Sequence, residues 1–179
     1  LSQILLTLED TEQRRRAINA KRTFENLFEL GFIPVVNEND SIATTEIKYG
    51  DNDRLASRVA QISGADCLVL LSDVDGLYTQ NPKLYKDSKL IKEIKNIDTD
   101  IEKIATKSIS EHGTGGMKTK IEAAKICQLS GCMMVIANGL QERPIKKIID
   151  KNKCTWFLPK VSKLDARKKW IISSISPKG

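Results

Sequence analysis

Short apolar runs of strand length alternate with segments of helical periodicity along most of this 179-residue chain. The clearest run is Cys67-Leu-Val-Leu-Leu71, which is apolar at every position, as in a parallel strand covered on both faces. Further strands are predicted over residues 3–6, 32–36 and 133–137, and helices over about residues 12–30, 51–64, 117–130 and 144–150. Because parallel strands are joined by crossover segments that are usually helical, this alternation predicts an α/β domain with a mainly parallel sheet.

The first helix carries its own start and stop signals. Asp10 and Thr11 precede the first helical positions, and both residue types are favoured as helix caps. Gly31 follows the last apolar position and is predicted to end the helix. The sequence therefore predicts one helix that begins near Glu12 and ends near Leu30.

Polar segments follow several of the predicted strands directly. They are Asn37–Asp40, Ser72–Gly76 and Asn138–Gly139. In open α/β sheets, ligands bind beyond the carboxyl ends of the strands. Two polar turns, residues 51–53 and 113–116, open the helices that follow. This convergence predicts a ligand site at the carboxyl edge of the sheet.

The segment Gly113-Thr-Gly-Gly-Met-Lys-Thr-Lys120 is a glycine-rich turn that opens a helix. Glycines let backbone N–H groups approach an anion, and the start of a helix adds favourable partial charge. The order of residues excludes a Walker A loop, and the polar segment before it excludes a dinucleotide-binding fingerprint. A phosphate site and a flexible glycine loop both remain open on this pattern alone.

Acidic and amide side chains cluster at two other places. Asp51-Asn52-Asp53 suits plain helix capping, and it also suits a site where carboxylates orient lysines or hold Mg²⁺ near phosphates. Asn37-Glu-Asn-Asp40 is either a polar turn or a pocket for a small charged substrate. Ser72-Asp73 has hydrogen-bonding groups suited to a ribose or a base.

Composition and charge narrow the class of protein. The chain is 40% apolar and 29% charged, as in an ordinary globular domain, and we expect residues 1–179 to form a single one. No apolar run approaches the roughly 18 residues of a membrane span. Residues 141–179 hold 11 basic and 3 acidic side chains, which we interpret as a solvated surface. Nucleic-acid binding by this tail is the alternative, but it lacks the interleaved aromatic side chains of single-strand binders.

The four cysteines, Cys67, Cys127, Cys132 and Cys154, form no C-x-x-C pair, and the chain has one histidine. We expect buried free thiols and no metal site built on sulfur. Free thiols suit a reducing compartment, so we expect the protein in the cytoplasm.

Taken together, the motifs resemble those of the amino acid kinase family, and within it the glutamate 5-kinases. Residues 34–57, with Asn37-Glu-Asn-Asp40 and Gly50-Asp-Asn-Asp53, resemble the glutamate-binding segment of those enzymes. Leu70-Leu-Ser-Asp-Val-Asp-Gly-Leu-Tyr-Thr79 is similar to the family's nucleotide-binding strand and loop, and the turn at 113–120 to its ATP-phosphate loop. Arg167-Lys-Lys-Trp170 is similar to the basic segment that ends the kinase domain.

The resemblance implies a fold and an activity. The fold would be a three-layer α/β/α sandwich with a mainly parallel central sheet. The activity would be ATP-dependent phosphorylation of the γ-carboxylate of L-glutamate to γ-glutamyl phosphate, the first step of proline biosynthesis, with ATP and Mg²⁺. It also implies a homo-oligomer, dimer or tetramer, with proline as a feedback inhibitor, and neither nucleic-acid nor membrane binding.

The resemblance also implies residue roles. Asp40 and Asn52 would bind glutamate, Asp53 would organise the catalytic lysines, and Lys120 would neutralise charge on the transferring phosphoryl group. No metal site on the protein itself is implied. The residues implied to bind the nucleotide are Ser72, Asp73, Thr114, Gly115, Gly116, Met117, Lys118, Thr119 and Lys120.

The sequence departs from the family pattern at both ends. We find neither the family's opening strand and glycine-rich turn with a second catalytic lysine, nor its serine-bearing loop for glutamate. We also expect residues 1–179 not to include the RNA-binding-like module that follows the kinase domain in many members. We therefore expect an N-terminally truncated kinase domain that is a poor catalyst alone. The alternative is a non-catalytic member that binds glutamate or proline, against which Asp53 and Lys120 argue.

Overall fold

The computed structural model describes residues 1–40, 52–107, 116–150 and 153–166. None of the helices in these ranges is long and apolar enough to cross a membrane. The elements in chain order are β1 (Ser2–Leu6), α1 (Leu8–Glu12), α2 (Arg14–Glu29), β2 (Pro34–Glu38), α3 (Asn52–Ser63), β3 (Cys67–Ser72), β4 (Glu93–Ile94), α4 (Thr99–Lys107), α5 (Met117–Ser130), β5 (Met133–Asn138), α6 (Pro144–Ile149) and β6 (Cys154–Phe157).

The strands form two hydrogen-bonded sheets. β1 pairs in parallel with β2, and a four-stranded sheet has the order β3-β5-β6-β4. Within the larger sheet β3 is parallel to β5, β4 is parallel to β6, and only the pair of β5 and β6 is antiparallel. The prediction of a mainly parallel sheet is confirmed, whereas the short strands β4 and β6 were not predicted.

Helices cover both faces of the larger sheet, which confirms the three-layer α/β/α arrangement. Alternate side chains of β5 face opposite ways, as the pleat of a strand requires. Met134 and Ile136 pack with Ile121 of α5 in the largest apolar cluster. Val135 and Ala137 pack in a second cluster that contains Ile148 of α6.

A third apolar cluster joins β1 to the helices beside it. Its buried members are Leu6 of β1, Phe24 of α2, and Leu55 and Ile62 of α3. Ala60 of α3 belongs to the largest cluster instead. α3 therefore packs against both groups of strands, and this fixes the position of its first turn.

The predicted start of the first helix was wrong. The chain forms two helices, α1 and α2, with a break at Gln13, where the backbone is extended. Asp10 lies inside α1, and its carboxylate accepts hydrogen bonds from the N–H and the hydroxyl of Thr7, both at 2.7 Å. Asp10 thus caps the helix by reaching back from its first turn, as in a capping box, and this moves the start to Leu8. The end near Leu30 and Gly31 is as predicted.

All four cysteines are free thiols, as predicted. Cys127, Cys132 and Cys154 are buried, and Cys67 is partly buried. Burial raises the pKa of the Cys67 and Cys154 thiols above the ordinary value for cysteine. Burial therefore favours the protonated form of these two side chains.

Candidate functional site

The carboxyl ends of β3 and β5 lie side by side. Ser72 pairs with Asn138 in the parallel register, and the Gly139 N–H donates to the Ser72 carbonyl at 2.8 Å. Two of the three strand-end segments predicted to converge, 72–76 and 138–139, therefore meet at one edge of the larger sheet, whereas Asn37–Asp40 lies at the end of β2 in the two-stranded sheet. A cavity of about 300 Å³ opens there, and its lining includes Ser72, Asp73, Asn138, Gly116, Met117 and Lys120.

An ion pair joins the first turns of α3 and α5 beside this cavity. The Lys120 Nζ lies 3.0 Å from the Asp53 Oδ2, and the two side chains are only 11% and 17% exposed. The Thr119 hydroxyl donates to the same carboxylate oxygen at 2.9 Å. Asp53 therefore holds two neighbouring residues of α5, although 66 positions of sequence separate it from the nearer one.

The start of α5 favours anion binding more strongly than the Lys120 cation would on its own. The first N–H groups of a helix have no partner within it, and the helix macrodipole places partial positive charge there. Gly116 precedes this helix with an extended backbone, and Met117 is the first helical residue. The ammonium group of Lys120 adds a full positive charge at the same end. A phosphate in the cavity would meet both, while the Asp53 carboxylate keeps the buried lysine paired in its absence.

A second cluster on the cavity wall centres on Asp75, which the sequence did not single out. Its Oδ2 accepts a hydrogen bond from the Tyr78 hydroxyl at 2.9 Å. Its Oδ1 accepts from the Asn138 Nδ2 at 3.2 Å and from the Gln141 Nε2 at 3.5 Å. Burial raises the pKa of Tyr78 above its ordinary value, and the hydrogen bond to Asp75 raises it further.

The backbone after Asp75 is held by a buried threonine of β6. The Thr155 hydroxyl accepts from the Leu77 N–H at 2.8 Å and donates to the Ile91 carbonyl at 2.7 Å. A Cβ at Gly76 would stand 2.3 Å from the Thr155 Oγ1, so only glycine permits this close approach. The unpredicted strand β6 thus fixes the turn that carries one wall of the cavity.

Four of the described residues that are implied to bind ligands do not line this cavity. Asp40 is exposed just after β2, Asn52 is exposed at the start of α3, and Lys118 is exposed on α5. Thr119 contacts Asp53 and does not line the cavity either. Thr114 and Gly115 lie outside the described residues, as does the segment Arg167-Lys-Lys-Trp170.

A larger cavity, of about 540 Å³, lies away from these side chains. It is bounded by α2, the ends of α3 and α5, and residues 163–166. Its Lys21 pairs with Glu25, and its Lys163 contacts the Gly64 carbonyl and Asp66. We take the smaller cavity as the candidate site because the strand ends, a buried lysine and a helix start converge there.

A sequence model described as the amino acid kinase family matches residues 1–138, which is well over half of the chain. The chain belongs to the amino acid kinase family. The resemblance of the motifs is thus confirmed at the level of the family. The Asp53–Lys120 pair and the carboxyl end of β3 both lie within the matched residues.

Curated members of the amino acid kinase family match the chain along its whole length. It is 87% identical over 179 residues to the glutamate 5-kinase of Pelagibacter ubique strain HTCC1062, of which it covers 49%. It is 52% identical over 177 residues, or 99% of the chain, to the glutamate 5-kinase of Nitrobacter hamburgensis, of which it covers 47%. The chain therefore spans about half the length of the curated relatives it matches.

Solved structures of two kinases share the fold. A UMP kinase from Ureaplasma parvum matches with a TM-score of 0.55 at 15% identity, over 77% of this chain and 52% of that one. An isopentenyl phosphate kinase in a substrate complex matches with a TM-score of 0.51 at 23% identity, over 74% of this chain and 51% of that one. At these identities the likeness concerns the fold alone, and it agrees with the α/β/α arrangement.

Proposed function

We propose that this chain carries the phosphoryl-transfer site of a glutamate 5-kinase, which moves the γ-phosphoryl group of ATP to the γ-carboxylate of L-glutamate. The observation that carries the proposal is the Asp53–Lys120 pair, buried beside a cavity at the carboxyl edge of the sheet. The identity of 87% to a glutamate 5-kinase supports the choice of glutamate as the acceptor. The product, γ-glutamyl phosphate, would supply proline biosynthesis.

The nucleotide would occupy the cavity with its phosphates toward the start of α5. Gly116, Met117 and Lys120 line that end of the cavity, together with Ser72 and Asp73 from the end of β3. N–H groups at the start of a helix, together with the partial positive charge there, suit phosphate oxygens. Thr114, Gly115 and Lys118 are proposed to extend this phosphate contact, on the strength of the motif resemblance alone.

Charge stabilisation would carry most of the catalysis. Phosphoryl transfer needs positioning and neutralisation of charge more than covalent help. Lys120 would neutralise the transferring group, and Asp53 would hold the lysine in place through the contact at 3.0 Å. The glutamate γ-carboxylate is ionised at neutral pH, so the nucleophile needs no general base. Asp40 and Asn52 are proposed to bind the rest of the glutamate.

Mg²⁺ would enter bound to the phosphates of ATP, where it would help to neutralise their charge. No group of three His, Cys, Asp or Glu side chains in the described ranges is arranged to hold a metal ion. The Asp53 carboxylate is also occupied by two donors from α5.

Other properties implied by the resemblance remain predictions. They are a single domain over residues 1–179, a homodimer or homotetramer, inhibition by proline and a cytoplasmic location. The four free cysteines support the last of these.

The proposal is tested by trapping the acyl phosphate with hydroxylamine in the presence of ATP, Mg²⁺ and glutamate. Because the chain spans half the length of its relatives, we would also assay a chimera in which it replaces the matching segment of the Pelagibacter enzyme. We expect hydroxamate from the chimera. We expect Asp53→Asn and Lys120→Met to lower kcat by about 100-fold or more, the usual cost of losing one charge-stabilising group.

Two matched variants serve as controls. Asp100→Asn and Lys95→Met make the same changes at exposed positions, where the side chains are 80% and 75% exposed. Both should keep the hydroxamate rate. If the chimera binds glutamate or proline but makes no hydroxamate, a non-catalytic binding protein is the correct reading and the kinase proposal fails.

A further inference from the structure

The Asp75 carboxylate joins three separate stretches of chain around the cavity. Tyr78 is in the loop after β3, Asn138 ends β5, and Gln141 is in the turn before α6. Sixty-three residues of sequence separate Asp75 from Asn138. The hydrogen bonds to the two amides therefore tie the β3 loop to the β5 side of the site.

Two of these partners, Tyr78 and Asn138, line the cavity together with Asp75 itself. Their side chains are long enough to change the shape of the wall if they turn. The Tyr78 hydroxyl and the Asn138 amide are each held by one oxygen of the same carboxylate. Hydrogen bonds to a charged acceptor are worth about twice those between neutral groups, so this carboxylate can fix both orientations.

We propose that Asp75 is a positioning residue for nucleotide binding, which acts by holding Tyr78 and Asn138 in the orientation that fits ATP. The proposal rests on the proposed function, because it takes this cavity to be the nucleotide site. The hydrogen bonds described for Asp75 join the β3 loop to the end of β5, whereas those described for Asp53 join α3 to α5. Its loss should therefore weaken nucleotide binding more than it slows the transfer of the phosphoryl group.

An asparagine at this position tests the role with a minimal change of shape. An amide has one acceptor oxygen where the carboxylate has two. In Asp75→Asn, the NH₂ group of the new asparagine must face either the Tyr78 hydroxyl or the amide donors of Asn138 and Gln141. The substitution therefore removes the charge and at least one of the present hydrogen bonds. Tyr78→Phe is the complementary change, since it keeps the ring but removes the hydroxyl.

The first readout is the dissociation constant of Mg·ATP, measured by calorimetry on the full 179-residue chain. We expect Asp75→Asn to raise the Kd about 10-fold, the usual cost of losing a hydrogen bond to a charged group. Tyr78→Phe should raise it less, because Asn138 keeps its partner. The loss of binding free energy in the double variant should be smaller than the sum of the two single losses, since both substitutions act through one contact. Asp100→Asn is the control and should keep the wild-type Kd.

The second readout is the pKa of Tyr78, followed by ultraviolet titration with the Tyr78→Phe trace subtracted. Asp75 raises this pKa by accepting a hydrogen bond from the protonated phenol, so Asp75→Asn should lower it toward the ordinary value of 10 while leaving the part due to burial. A purely structural role for Asp75 elsewhere in the fold would not move this value.

The outcomes separate the two proposals. If the wild-type chain and Asp75→Asn bind Mg·ATP equally while the Tyr78 pKa falls, Asp75 orients the tyrosine without positioning the nucleotide, and the inference is overturned. If the wild-type chain binds no nucleotide, the proposed function loses its ATP site, and the inference falls with it. If Asp75→Asn does not fold, an unchanged Kd in Tyr78→Phe overturns the inference alone.

Discussion

A single carboxylate oxygen, Asp53 Oδ2, accepts hydrogen bonds from both Thr119 and Lys120. The single Thr119 hydroxyl proton is shared between Asp53 and the Gly116 carbonyl 2.8 Å away, and the Asp53 contact links the start of α5 to α3. The resemblance to known kinases implies nucleotide binding by Thr119. The contact with Asp53 points instead to an effect on the position of the Asp53–Lys120 pair.

We expect Thr119→Val to lower kcat about 10-fold, because it removes a hydrogen bond to a charged group while keeping the shape of the side chain. Thr119→Ser keeps the hydroxyl and should keep most of the rate. The check is the rate of hydroxamate formation by the chimera at saturating ATP and glutamate. Equal rates for Thr119→Val and Thr119→Ser would show that the hydroxyl does not support Asp53.

Residues inside local motifs were predictable, and residues that depend on distant contacts were not. Asp53 and Lys120 stand at helix starts in polar clusters, and those local patterns drew attention to them. The partners of Asp75 lie 63 and 66 residues away, and no local pattern contains that information. Lys118 is two positions from Lys120 on a helix, so the two side chains point to different faces, and it is exposed.

At the scale of elements, apolar content decided which strands could be predicted. β3 and β5 are six-residue runs dominated by apolar side chains. β4 has only two residues, and one of them is an exposed glutamate. β6 lies in the basic tail and includes a threonine, which is buried because its hydroxyl bonds to Leu77 and Ile91. Pairing within the sheet, rather than the local pattern, defines these two short strands.

Two glycines that end helices form a natural comparison. Gly31 and Gly131 have nearly the same left-handed backbone, with φ of 73° and 74°. A Cβ at Gly31 would meet nothing within 4 Å, whereas one at Gly131 would stand 2.8 Å from the Lys163 backbone N. The backbone of residues 162–163 thus packs closely against Gly131 at the end of α5.

We expect Gly31→Ala to destabilise the fold by about 1 kcal/mol, the cost of a left-handed conformation for alanine. Gly131→Ala should cost about 1–3 kcal/mol more, because the backbone of residues 162–163 must also move. Urea unfolding of both variants gives the difference directly. Equal losses would mean that residues 162–163 do not pack against α5 in solution.

At the scale of the whole molecule, α3 connects the two groups of strands. Leu55 and Ile62 pack toward β1 and α2, while Ala60 packs into the core of the larger sheet. Asp53 is at the start of this helix, so its distance from Lys120 depends on both packing faces. The alternation of strand and helix periodicities was enough to predict the α/β class. The dependence of the Asp53–Lys120 distance on both packing faces of α3 could not be predicted in this way, because it arises from tertiary packing.

We propose that the Asp53–Lys120 site transfers a phosphoryl group to a carboxylate oxygen of glutamate. The most direct measurement uses glutamate labelled with ¹⁸O in its γ-carboxylate, with the chimera, Mg·ATP and hydroxylamine. Attack by that oxygen on the γ-phosphorus releases ADP, and hydroxylamine then releases phosphate that keeps the oxygen. We predict one ¹⁸O in the phosphate formed with each hydroxamate, and loss of this signal in Lys120→Met. Phosphate without ¹⁸O would mean that water is the acceptor and would contradict the account.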